Sequence, residues 1–259
     1  MFTPPEYLSP SSIKTFRDCP QKFKISRIDK VPEPPTWATR LGNFVHESLE
    51  HLYQADPQER TVENLRTIAA DLWASGEWER QILALEEQKG TTKDFKVEAF
   101  NYMKNLWVLE DPAHTELDGM EHEVLADIDG VAMKGYIDRF VFAPDGSVII
   151  SDYKTGNIPN PRFNSEDDKF FQLLTYALML ESSDQETTSK VQLMYLKQPV
   201  IHEVATTSVN LSITKKTITE TKKAIDSACA TEDFYCNVTK LCDWCHYKKT
   251  KICPAWADK

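Results

Sequence analysis

VAMKGYIDRFVFAPDGSVIISDYKTG, residues 131–156, is the stretch on which the fold turns. Two runs rich in β-branched and aromatic residues flank Pro144-Asp145-Gly146, the composition of two antiparallel strands joined by a tight turn. The length of that turn decides which residues meet. With Pro144 and Asp145 at its corners and Gly146 in the left-handed conformation, Ala143 pairs with Ser147, and counting back puts Asp138 opposite Asp152. A two-residue Asp-Gly loop would slip the register by one and send the two aspartates to opposite faces. Pro-Asp-Gly favours the first form. Side chains two apart on a strand share a face, so Asp152 and Lys154 project together.

Outward from this hairpin, EHEVLADIDG at 121–130 reads as a preceding strand, which makes a three-stranded antiparallel meander. An amphipathic helix from about Glu166 to Leu180 follows, then the strands KVQLMYLKQ and HEVATTSV and a helix from about Ser212 to Cys229. Upstream, Ser9 or Ser11 caps a first helix, VPEPPTW at 31–37 is a stiff turn, and Leu41, Phe44, Val45, Leu49 and Leu52 mark a helix from about Thr39 to Tyr53. Further helical pattern fills roughly 61–109. The expectation is an α/β or α+β core with a helical insertion at 55–115 and a cysteine-rich tail at 230–259, all in one domain spanning 1–259.

The 41% hydrophobic and 10% aromatic content exclude wholesale disorder. MFTPPEYLSPSS lacks a basic segment followed by an apolar run, and no run of about 18 uncharged apolar residues occurs, so a cytoplasmic protein outside the membrane is expected. Six cysteines in that setting point to metal ligands, catalysis or plain thiols ahead of structural disulfides. The net charge of -10 argues against a simple nucleic-acid coat. It is unevenly spread, however. Lys14, Arg17, Lys22, Lys24, Arg27 and Lys30 face only Asp18 and Asp29 near the amino terminus, and residues 212–251 hold eight lysines against five acids.

Two aspartates facing one another would repel without a cation, and a hard divalent ion such as Mg²⁺ or Mn²⁺ binds carboxylates while keeping waters for a substrate phosphate. Lys154 beside them can orient a water or neutralise developing charge, which is the chemistry of phosphodiester hydrolysis. The bland alternative is a surface cross-strand ladder of Asp138, Arg139 and Lys154. His46, on the apolar-striped helix, can complete a metal site with an imidazole nitrogen or be an ordinary packed histidine. Gln172 and Tyr176, four apart on one helix face, suit the shell of such a site or are simple helix decoration.

Taken together and in this order, GNFVH at 42–46, GYIDR at 135–139, SDYKTG at 151–156 and QLLTY at 172–176 resemble the motifs of the RecB-like branch of PD-(D/E)xK nucleases. LSPSSIKTFRDCPQKF resembles the start of these domains, so the likeness runs from about Leu8 to Cys253. The resemblance implies a restriction-endonuclease-like core with a mixed central sheet. It also implies that His46, Asp138 and Asp152 bind the divalent metal, that Lys154 is the catalytic lysine, and that Gln172 and Tyr176 stand beside the substrate.

Cys242-Asp-Trp-Cys245, then Cys253, gather three thiols near the end, with Cys19 far away in DCPQKF. One early and three late cysteines resemble the iron-sulfur nucleases of the AddB type and the CRISPR-adaptation exonucleases, which implies a four-iron four-sulfur (4Fe-4S) cluster on Cys19, Cys242, Cys245 and Cys253. By ligand chemistry alone four thiolates suit a cubane or structural zinc; His246 and Cys236 add ambiguity, and a zinc site would draw on Cys242, Cys245, His246 or Cys253. The seven residues between Cys245 and Cys253 depart from the expected spacing, and Cys229 and Cys236 are expected outside the cluster. Trp244, Tyr247 and Phe16 are candidate stacking residues for single-stranded bases. The expected activity is a Mg²⁺- or Mn²⁺-dependent exonuclease on single-stranded DNA ends, with a helicase or recombination partner. The rivals are a non-catalytic DNA-end-binding module or partner subunit, and an accessory nuclease of CRISPR spacer acquisition.

Overall fold

Helices begin where a serine or threonine hydroxyl accepts an amide hydrogen bond from three residues on, which satisfies one of the amides a helix start leaves without a partner. Ser9 does this for α1 (Pro10–Asp18), which is followed by the short α2 (Pro20–Phe23) and a π turn at Lys24–Ile28. Thr36 caps α3 (Trp37–Gln54) and Thr61 caps α4 (Val62–Ser75). After α5 (Trp78–Leu83), Thr91 caps α6 (Thr92–Lys104), which leads into α7 (Leu106–Leu109). These are the elements of a computed structural model that describes residues 1–160 and 166–257. The last two residues of the cysteine-rich tail therefore lie outside the described part.

The meander comes next: β1 (Gly119–Ile128), β2 (Val131–Phe142) and β3 (Val148–Lys154), each antiparallel to the one before. The turn between β2 and β3 takes the three-residue form. Gly146 sits at φ +82, where only a residue without a Cβ is unstrained, and the Ala143 amide bonds the Ser147 carbonyl at 2.7 Å. Pairing of Arg139 with Ser151 then sets Asp138 against Asp152. Helix α8 (Glu166–Ser183) carries the chain back so that β4 (Thr188–Tyr195) runs parallel to β3, and β5 (Val200–Ala205) closes the five-stranded mixed sheet in the order β1-β2-β3-β4-β5. Thr207 caps α9 (Ser208–Thr231), and α10 (His246–Lys249) lies in the tail.

Each face of the sheet has its own core. Ile150, Leu193 and Tyr195 enter a cluster with Ile13 and Phe23 at the amino terminus, Phe170 and Leu174 of α8 and Ile218 of α9. Tyr153, Met194 and Leu196 enter the other, with Phe44 and Leu49 of α3, Leu65 of α4 and Phe95 of α6. The parallel pair β3/β4 is thus covered on both sides, as such strands require. In β2 the alternation breaks: Ile137 and Phe140 pack on the same core although three residues apart, and Glu121 across from them takes φ 45. The break falls at Asp138 and Arg139. It sends Arg139 toward the second core, while Asp138 stays beside Asp152.

Candidate active site

His46 reaches this point from α3, on the far side of the sheet from α8. Its Nε2 lies 2.8 Å from the Tyr153 carbonyl. A carbonyl can only accept, so Nε2 carries the hydrogen and Nδ1 keeps its lone pair. That lone pair faces Asp138 Oδ2 at 3.3 Å. Burial, the largest influence, lowers the His46 pKa and so favours the neutral imidazole, against the opposing pull of Asp152. One ligand atom from each of His46, Asp138 and Asp152 lies within 4.8 Å of the other two.

A lone pair and two carboxylates turned on one small volume repel one another. Burial, then the charge of Asp152, pushes the Asp138 carboxyl well above the usual carboxylate range. Asp152 is pushed up by burial too, but Lys154 and its other neighbours outweigh this and hold it low. Asp138 Oδ2 is buried without a well-formed hydrogen bond, while Asp152 Oδ2 meets the Lys154 ammonium. An imidazole nitrogen and two buried carboxylates fit a divalent cation, and the Tyr153 carbonyl is the kind of outer partner that orients an imidazole ligand.

Lys154 forms an ion pair with Asp152 and donates to Gln172 Oε1 at 3.5 Å, and Gln172 Nε2 in turn donates to the Tyr176 hydroxyl at 3.3 Å. Desolvation works against the ammonium, but Asp152 and Asp138 raise its pKa and keep it charged. Gln172 and Tyr176 come this close because Gly135 gives α8 room: a Cβ there would lie 2.5 Å from the Tyr176 ring. All six residues picked out for this site therefore share one locality. Glu121 was not among them. Burial, then Glu50 and Asp152, pushes its carboxyl up, which marks it as a neighbour of the site.

Arg139 is no part of a surface ladder. It is 4% exposed and gives Glu110 a two-pronged bond at 2.6 and 2.9 Å, with the hydroxyls of Tyr53 and Tyr153 bonded to the same pair. Sequence gave no sign of Glu110, which lies after α7, far from the strands in the chain.

The tail folds back on the first two helices. The Gln21 amide bonds the Tyr235 carbonyl at 3.1 Å, and Asn237 Nδ2 donates to the Asp18 carbonyl at 2.9 Å. Between the two segments lies a cavity of about 260 Å³ lined by Cys19, Cys242, Cys245 and Cys253. Cys236, expected outside the cluster, lines this cavity as well, 3.8 Å from Cys253 sulfur to sulfur. Its two neighbours make the contacts just described, one through the backbone of Tyr235 and one through the side chain of Asn237, to the residues that flank Cys19. Burial, with Cys236 among the further causes, pushes the Cys253 thiol up to about 11. Cys229 is buried in the first core, and neither it nor His246 lines the cavity. Two stacking candidates are withdrawn: Phe16 packs edge-on against Phe23 and is 7% exposed, and Tyr247 is 1% exposed with its hydroxyl on the Val31 carbonyl. Trp244 stays 76% exposed.

The mixed sheet thus brings an imidazole, two carboxylates and a lysine to one point, a set suited to metal-assisted hydrolysis. The chain is a member of the PD-(D/E)XK nuclease superfamily, whose family model matches residues 7–254. Such nucleases generally use divalent metals. The "Gene 69 protein" of Mycobacterium phage D29 is 29% identical over 197 residues, 66% of this chain and 67% of that protein. A crystal structure of a "Putative exonuclease" from Eubacterium rectale superposes with a TM-score of 0.57 at 13% identity, over 92% of this chain and 88% of that one, a likeness of fold. No helix among the described residues is long and apolar enough to cross a membrane.

Proposed function

We propose that the chain is a RecB-like deoxyribonuclease that hydrolyses phosphodiesters at single-stranded DNA ends as an exonuclease, with Mg²⁺ or Mn²⁺ held by His46, Asp138 and Asp152. The observation that carries this reading is the bare Nδ1 lone pair of neutral His46 turned on two buried carboxylates. A divalent cation, when bound, supplies charge at the phosphate and a more acidic water. Lys154 places its ammonium at the same point to orient that water or to neutralise charge developing on phosphate oxygens. Gln172 fixes Lys154 by its Oε1, and Tyr176 fixes Gln172. Exonuclease action draws on the Eubacterium rectale fold neighbour's name. Single-strand preference draws on Trp244, exposed in a tail rich in lysine. A helicase or recombination partner is the expected context.

Cys19, Cys242, Cys245 and Cys253 are the proposed ligands of a 4Fe-4S cluster, with zinc the competing occupant. Four thiolates on one tetrahedral zinc would sit about 3.8 Å apart, from metal–sulfur bonds of ~2.3 Å. Cys236 and Cys253 stand at that separation, 3.8 Å, so the thiol spacing leaves both occupants open to measurement.

The test is release of labelled nucleotides from single-stranded DNA with Mn²⁺, comparing anaerobically purified wild type with Asp152→Ala. Release by the wild type alone is expected. Silence in a folded, metal-loaded wild type would overturn the reading in favour of a non-catalytic DNA-end-binding module.

A further inference from the structure

The thiol cavity holds one sulfur more than a four-thiolate group can use. Cys19, Cys236, Cys242, Cys245 and Cys253 all line it, and the closest pair is the one formed by the unassigned Cys236 and by Cys253, at 3.8 Å. Two hydrogen bonds tie the residues on either side of Cys236 to the amino-terminal segment: the Gln21 amide donates to the Tyr235 carbonyl, and the Asn237 side-chain amide donates to the Asp18 carbonyl. Cys253 arrives from the opposite direction, its amide bonded to the Tyr247 carbonyl at 2.9 Å. The two thiols thus come from independently anchored backbones to a single point on the cavity wall.

A cubane takes four cysteine thiolates, one for each iron. Two sulfurs in van der Waals contact cannot serve two separate corners, so only one of this pair can ligate at a time. The same count holds for a tetrahedral zinc that already has Cys19, Cys242 and Cys245. The long spacing from Cys245 to Cys253 agrees with a last ligand that has a substitute.

We propose that Cys236 and Cys253 are interchangeable donors for the fourth position of the thiolate site, so that the metal stays when either one is lost. This rests on the reading that the cysteines hold metal at all, and the experiment separates the two. The full chain is purified anaerobically as wild type, Cys236→Ser, Cys253→Ser, the double variant, Cys242→Ser and Cys229→Ser, the last being a control outside the cavity. Iron, acid-labile sulfide and zinc per chain are measured alongside the visible absorption spectrum. Both single variants are expected to keep the wild-type metal content, while the double variant and Cys242→Ser lose it. Loss of metal in either single variant overturns the proposal, and this decides the matter even where the double variant fails to fold. Wild-type metal content in the double variant overturns it as well. A wild type with neither iron nor zinc, indistinguishable from Cys242→Ser, overturns the underlying reading instead.

Discussion

A neutral imidazole whose Nε2–H is committed to the Tyr153 carbonyl offers Asp138 only a lone pair, and Asp152 stands close behind. Without a cation this arrangement costs stability, as functional sites often do. Because burial and Asp152 raise the Asp138 pKa, the folded metal-free protein prefers that carboxyl protonated. The stabilisation from protonation is present in full below the ordinary aspartate value of about 4 and is lost as pH rises through the raised value. Asp138→Asn removes this penalty. At neutral pH and without metal it should be the more stable protein, by about 1 kcal/mol or roughly 2–4 °C in Tm. The advantage should shrink toward acid pH in thermal scans, and added Mn²⁺ should raise the Tm of the wild type alone. An Asp138→Asn protein no more stable than wild type at neutral pH without metal would show that the carboxylates are not in conflict.

At the level of elements, the strands carrying the site are held from behind by the helical block. Arg139 and Tyr153 each neighbour a site residue in sequence but point to the opposite face, where Glu110 receives both prongs of the guanidinium. Removing one partner strands the other's charge in the interior. Glu110→Ala should therefore cost about 3–5 kcal/mol in denaturant unfolding, and the double variant Glu110→Ala/Arg139→Met less than the sum of the two single changes. Strict additivity would mean that the pair does not act as a unit. This network also marks where sequence reading ends. The hairpin register was legible because Pro144-Asp145-Gly146 fixes a local geometry, and Asp152 and Lys154 followed from strand alternation. Arg139 was not, because the alternation breaks next to it and its partner lies far away in the chain. The closeness of Cys236 to Cys253 was not legible for a related reason: it depends on contacts of Tyr235 and Asn237 with the amino-terminal helices, which no local spacing encodes.

Across the whole molecule, two sites of different chemistry have different structural duties. The carboxylate site sits between two cores that are complete without it. The thiol cavity, by contrast, lies between the two ends of the chain, which also meet through Phe2 edge-on to Phe234, the Phe2 amide on the Cys229 carbonyl, the Met1 ammonium on Glu232, the Tyr247 hydroxyl on the Val31 carbonyl and the pair of contacts that flank Cys236. A metal joining Cys19 to the tail closes a loop of nearly the full chain, and closures of that length contribute on the order of 3–5 kcal/mol when made by a covalent bridge. On the proposed reading of the two sites, withdrawing each metal should do different things. EDTA, taking the divalent ion, should stop cleavage and leave the limited-proteolysis pattern as it was. Cys242→Ser, or anaerobic stripping of the thiol-held metal, should lower global stability and bring the first cuts to the segment after α9, read by mass spectrometry of the fragments. If the tail stayed as resistant to protease as in the loaded protein, the hydrogen bonds and ring contacts between the termini would suffice by themselves, and the thiol site would have to be explained by something other than holding the two ends together.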